Sequence, residues 1–209
     1  MSPPVVAPPT PLQLAKNEVY DVLMSRAAQA IDFKLGTYHI DGTGYFEVMR
    51  AIQSERIDII FFNLPSGAAA GYNDRPYPRH PARDALLLPE TRPTIKLDYH
   101  ANILHECTHA IVDTRQSAGT RGDNEAAAHV AAELFRLNSG DTADEMFDPF
   151  KTARNIARAI RTRPGATVST ADRTAMIQAL VVAGYKQKQM DKPDTADGLA
   201  RPPVIPRIF

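Results

Sequence analysis

The chain has 209 residues, 44% of them hydrophobic, which is enough for one sizeable core. Lysine plus arginine balances aspartate plus glutamate at 24 each, so no net field draws the chain to nucleic acid or to an anionic membrane, and no apolar run approaches membrane-spanning length. The single cysteine, Cys107, excludes an internal disulfide, so folding does not depend on an oxidising compartment.

Residues 1–11 carry five prolines and read as an extended arm. The start, MSPPVVAPPTP, has no basic region followed by an apolar one, so no secretory signal is expected. The expected location is the cytoplasm, or outside the cell by a leaderless route. A helix is expected after Thr10, running through LAKNEVYDVLMSRAAQAI until Gly36 and the β-leaning TYHI break it. The turn DGTG leads into a second helix, YFEVMRAIQSER. The apolar run 57–65, IDIIFFNLP, suits a central strand, and GAAAGYND (67–74) and ALLLPE (85–90) read as two more. RPYPRHPARD between them is a loop.

From about Thr94 to Gln116 the pattern is helical, SAGTRGD is a loop, and NEAAAHVAAELFRL (124–137) is helical again. Two further helices are expected at about 142–162 and 169–187, the latter capped by Ser169. The end is again proline-rich. Its apolar residues Val204, Ile205, Ile208 and Phe209 are expected to dock on the domain, on a partner or across a cleft. Helices, then strands, then mostly helices suggest an α+β fold with a small mixed or antiparallel sheet. The expected domain is 12–187, with a sheet lobe over about 12–93, helices over about 94–187, and proline-rich termini at 1–11 and 188–209.

The helix at 94–116 contains HECTHAIVD (105–113). Stepped around a helical wheel, Asp98, Asn102, His105, Glu106, His109 and Asp113 share one stripe about 100° wide, and the remaining face is apolar. Such a helix is mostly buried with one polar seam, which is costly unless something satisfies it. A cation would. Imidazoles at i and i+4 project side by side and can share one Zn²⁺, and the glutamate between them reaches a water beside the metal without ligating it. The bland alternative is an amphipathic helix whose polar side faces solvent. Cys107 falls on the opposite side of the wheel and reads as a small core residue.

A catalytic zinc needs a third protein ligand. The helix opened by Asn124 has its own seam of Glu125, His129, Glu133 and Arg136 on an otherwise apolar surface. If the two seams face each other, His105, His109 and Glu125 are the ligands. Asp123 and His129 are the competitors for the third place.

HECTHAIVD followed by NEA resembles the active-site signature of the thermolysin-type zincins, the gluzincins. Their pattern is H-E-x-T-H-A-x-x-D, then an N-E-A helix that supplies a glutamate ligand. The resemblance covers residues 105–137, and His109 to Glu125 spans sixteen positions, as in a compact variant with a clipped loop. Where the family has an aspartate four residues after the ligand glutamate, this chain has His129. It also lacks a tyrosine between the two helices, where the family carries a transition-state donor. The resemblance implies a zincin-like fold, with a small twisted sheet before the active-site helix and a helical lobe after it. It also implies one Zn²⁺ per chain and a peptide or protein substrate.

The expected chemistry is metal-assisted peptide hydrolysis with Glu106 as general base. Tyr72, Tyr99, Tyr185 and His129 are candidate donors to the oxyanion, and Asp113 and Asn124 are expected behind the ligands, Asp113 accepting a ring N–H. The substrate is expected to add as a strand to a sheet edge supplied by GAAAGYND or ALLLPE, and the small residues Ala68–Gly71 would let a backbone approach. The competing readings are a regulatory zinc module and a toxin or effector built on the same core, with the proline-rich termini offered to a partner.

Overall fold

The computed structural model describes residues 7–62, 69–74, 84–91, 93–145 and 147–194. Ala68, the loop between the second and third expected strands, and the apolar end of the chain lie outside the described residues. Among the described residues the fold is α+β, with eight helices and two separate three-stranded sheets where one was expected.

Helix α1 (Pro11–Leu23) starts where the sequence places it, with the Thr10 hydroxyl accepting the Gln13 N–H. It stops short of the expected Ile31. Ser25 takes an extended conformation and caps a separate short helix, α2 (Arg26–Gln29), so the serine reads as a start signal and not as helix interior. Strands β1 (Asp32–Leu35) and β2 (Tyr38–Asp41) form a tight antiparallel hairpin around Gly36, whose φ of +59° suits glycine. The hairpin's first strand was not expected. Helix α3 (Gly42–Gln53) begins three residues early because the Asp41 carboxylate accepts the Gly44 N–H.

Strands β3 (Asp58–Phe61), β4 (Gly71–Asn73) and β5 (Ala85–Leu88) make the second sheet in the order β3-β5-β4. The run 57–65 therefore supplies an edge strand, and ALLL is the central one, parallel to β3 and antiparallel to β4. Its two-sided burial explains why β5 is leucine-rich.

Helix α4 (Lys96–Thr114) buries Ile103, Leu104, Cys107, Ala110, Ile111 and Val112, the apolar face read from the sequence. Gly44 lets α3 lie close against it, since a Cβ there would stand 2.9 Å from the Ile111 side chain. Helix α5 (Arg121–Asn138) starts three residues before the expected Asn124, because Thr120 and Asp123 form a reciprocal capping box. α4 and α5 pack against each other more extensively than any other pair of elements.

Helix α6 (Phe150–Ile160) is shorter than the expected 142–162. Strand β6 (Ala166–Thr167) returns to pair parallel with β1, completing the first sheet in the order β2-β1-β6. Ser169 caps α7 (Thr170–Val182) as expected. Residues 187–194 do not trail away as the beginning of a tail. They form α8 (Gln187–Met190), bury Met190, and cross the start of α5 through Arg121 N–H to Lys192 C=O at 2.9 Å and Asp194 N–H to Gly119 C=O at 2.8 Å. No described helix is long and apolar enough to cross a membrane.

Candidate metal centre

The polar seam of α4 and the first half of the α5 seam meet across the interface of the two helices. His105 Nε2 lies 3.2 Å from His109 Nε2, and Glu125 Oε2 lies 3.7 Å from the first and 3.8 Å from the second. Three donors bound to one tetrahedral Zn²⁺ at about 2.0–2.1 Å stand about 3.4 Å apart. The triangle is therefore of the right size for one ion, and two imidazoles with a carboxylate are a donor set that zinc takes.

The electrostatics point the same way. Burial alone would depress the proton affinity of His105, but the carboxylates of Glu125 and Glu106 outweigh it and raise the ring's pKa. Burial alone would raise the Glu125 carboxyl, but His109, His105 and His129 hold it down at about 2. A carboxylate that stays ionised inside a cluster of imidazoles is a place for positive charge, whether from a proton or from a metal.

The three side chains open on a cavity of about 480 Å³ that is also lined by Glu106, Asp113, Tyr72, Asn124, Tyr185 and Asp194. Glu106 accepts the Tyr72 backbone N–H through Oε2 at 2.7 Å, and its other oxygen has no further partner among the described residues. Tyr72 is the middle residue of β4. Its N–H turns to Glu106 and not to β5, so this edge of the sheet faces the cavity.

The other expected residues divide. Asn124 Oδ1 contacts His109 Nδ1 at 2.7 Å and so stands directly behind that imidazole. Asp113, expected in that role for an imidazole, takes the Tyr72 hydroxyl at 2.9 Å. The Tyr72 hydroxyl is thereby committed to a carboxylate, and burial beside Asp113 pushes its pKa well up. Tyr99 is buried in the core and does not line the cavity. Tyr185 does line it, and burial together with the nearby Glu125 and Glu106 carboxylates keeps its hydroxyl protonated.

Asp123 is spent elsewhere. It caps α5 and takes two hydrogen bonds from the Arg173 guanidinium. The second half of the α5 seam also turns away from this cluster: Glu133 pairs with Arg154 of α6 at 2.8 Å, and Arg136 with Asp98 of α4.

His129 sits beneath this cluster. Its ring packs edge-on against His105 at 4.6 Å between centroids and against Phe150 at 5.5 Å, and it is absent from the cavity wall. Its ligating atom nevertheless falls within 4.8 Å of those of His105 and Glu125. Burial, then His105, depress its pKa to about 3, so the ring is neutral. Its Nε2 is buried with no hydrogen-bond partner among the described residues.

The residue missed entirely was Asp194. Its Oδ2 accepts from the Asn124 side-chain amide at 2.7 Å and from the Tyr38 hydroxyl at 3.0 Å. No local pattern marks it, because its partners lie far away in the chain. No protein-family model matches this chain, and neither does any curated protein or solved structure.

Proposed function

We propose that the protein is a zinc-dependent peptide hydrolase of compact zincin-like architecture, with His105, His109 and Glu125 holding the metal and Glu106 as general base. The observation that carries this reading is the triangle of donor atoms with sides of 3.2, 3.7 and 3.8 Å, open to the cavity, with a glutamate beside it. Bound Zn²⁺ would supply Lewis-acid polarisation of the scissile carbonyl and a water acidified toward neutrality. Glu106 would hold and move the proton, taking it at its free carboxylate oxygen and delivering it to the leaving amine. The Tyr72 N–H anchors one carboxylate oxygen and leaves the other for this work. Tyr185 on the cavity wall, whose hydroxyl meets the Glu125 carboxylate, would turn its proton to the developing oxyanion. The substrate backbone would meet the cavity-facing side of β4 through the Tyr72 carbonyl, the Tyr72 N–H being held by Glu106.

A second reading draws on one specific observation, the orphaned Nε2 of His129. If that nitrogen completes a four-donor shell with His105, His109 and Glu125, no coordination position stays open and the zinc is structural or regulatory. The first reading expects metal in the purified protein, chelator-sensitive cleavage of a peptide library, and Glu106→Gln that keeps zinc while losing at least about 100-fold in turnover. Zinc-loaded protein with Glu106→Gln as active as wild type would overturn it. His129→Leu separates the two readings: it leaves zinc in place under the first and loosens it under the second.

A further inference from the structure

The contacts behind His109 have a direction. A carboxylate has no proton to give at neutral pH, so the atom that Asn124 turns toward Asp194 must be its NH₂. The Asn124 carbonyl then faces His109, and a carbonyl only accepts, so the proton of the His109 ring must sit on Nδ1. The remaining nitrogen, Nε2, is left with a free lone pair aimed at His105 and Glu125. An amide without this neighbour could present either end to the ring, and the reversed amide would place the proton on Nε2, where it blocks a metal.

We infer that Asp194 is a positioning residue that fixes the tautomer of His109 through the side-chain amide of Asn124, and so prepares the metal ligand from a segment 70 residues away. This rests on the reading of His109 as a ligand. Asp194 is itself held in two ways. The Tyr38 hydroxyl donates to the same oxygen, and the Asp194 N–H bonds the Gly119 carbonyl. Gly119 has no room for a side chain, since a Cβ there would collide with the Tyr38 hydroxyl. The first sheet and α5 thus converge on one oxygen of the segment after α8, whose backbone the loop before α5 holds in place.

The test uses full-length protein, wild type, Asp194→Ala and Asp194→Asn, in two measurements. Multiple-bond ¹H–¹⁵N spectra of the metal-free protein report which His109 nitrogen carries the proton, and competition with a chromogenic chelator reports zinc affinity. Wild type should show protonated Nδ1. Asp194→Ala should lose that preference and bind zinc about 10-fold more weakly. Asp194→Asn, whose carbonyl can still accept from Asn124, should recover both. If Asp194→Ala keeps the Nδ1–H tautomer and wild-type zinc affinity, the inference is wrong. It is equally wrong if Asp194→Asn behaves like the alanine variant although folded. A changed tautomer in Asp194→Ala, with no zinc bound by wild type, would leave the relay standing and remove the metal reading instead.

Discussion

Arg154 is the largest fully buried side chain of the described residues, and its loss should be felt throughout the α5–α6 interface. Both it and Glu133 are 1% exposed. Its guanidinium donates to Glu133 at 2.8 Å, to the Asp141 carboxylate at 3.1 Å and to the Asp141 backbone carbonyl at 3.0 Å. Arg154→Met preserves much of the volume but strands the Glu133 carboxylate. Removing one partner of a buried pair costs about 3–5 kcal/mol. Arg136, 3.4 Å from the other Glu133 oxygen, tempers the loss, so about 3 kcal/mol is expected. In urea, where a domain of this size loses roughly 2–3 kcal/mol per molar, the midpoint should fall by about 1 M. Burial already raises the Glu133 pKa against the pull of Arg154 and Arg136, and losing Arg154 raises it further. A group raised in the folded state favours folding at low pH and loses that contribution as pH rises. The deficit of the variant should therefore shrink between pH 7 and pH 5. Glu133→Gln added to Arg154→Met should restore part of the midpoint at pH 7. A midpoint within about 0.3 M of wild type for the single variant would refute the reasoning.

Three further outcomes can be checked. The Thr108 hydroxyl gives its proton to the Leu104 carbonyl, so the buried Tyr45 hydroxyl must donate to Thr108. Thr108→Val then orphans a tyrosine O–H and should cost about 2 kcal/mol in chemical denaturation, against about 1 kcal/mol for Tyr45→Phe, and the reverse order would contradict this direction. Burial raises the Asp41 carboxyl, but Arg115 and the Gly44 N–H outweigh it and leave its pKa depressed. A depressed carboxyl contributes stability above its unfolded pKa of about 4 and loses it as pH falls through the folded value, so Arg115→Met should flatten the acid limb of a stability–pH curve. Zinc at 100 times its Kd should stabilise the protein by about 2.7 kcal/mol, and excess chelator should lower the melting temperature by roughly 5–10 °C.

The parts of the fold that announce themselves in sequence are those whose cause is local. Thr10 and Ser169 cap helices through their own hydroxyls, and the apolar face of α4 follows from spacing alone. The seams were legible as costs, since polar residues on a buried face must be satisfied by something. What satisfies each was not. Glu125 and Glu133 lie on the same stripe of α5, yet one meets imidazoles and the other meets Arg154, because the identity of the neighbouring helix changes along the way. Strand β6 has two residues and no pattern of its own, and exists only because β1 offers it an edge. Asp194 is the same case in side-chain form, as nothing near it in sequence shows that its carboxylate meets the amide behind His109.

The pairing of β1 with β6 has a consequence for how the chain comes into being. Phe33 and Lys34 find their partners, Ala166 and Thr167, only about 130 residues later. At a synthesis rate of about 5–20 residues per second, β1 stands as an open edge for on the order of ten seconds while α4 and α5 are still being made. During that interval its unpaired N–H and C=O groups are a template for another strand. The first sheet is closed only once residues 166 and 167 have been made, so any truncation before residue 166 should yield a chain that aggregates through β1, whatever the state of the cluster between α4 and α5.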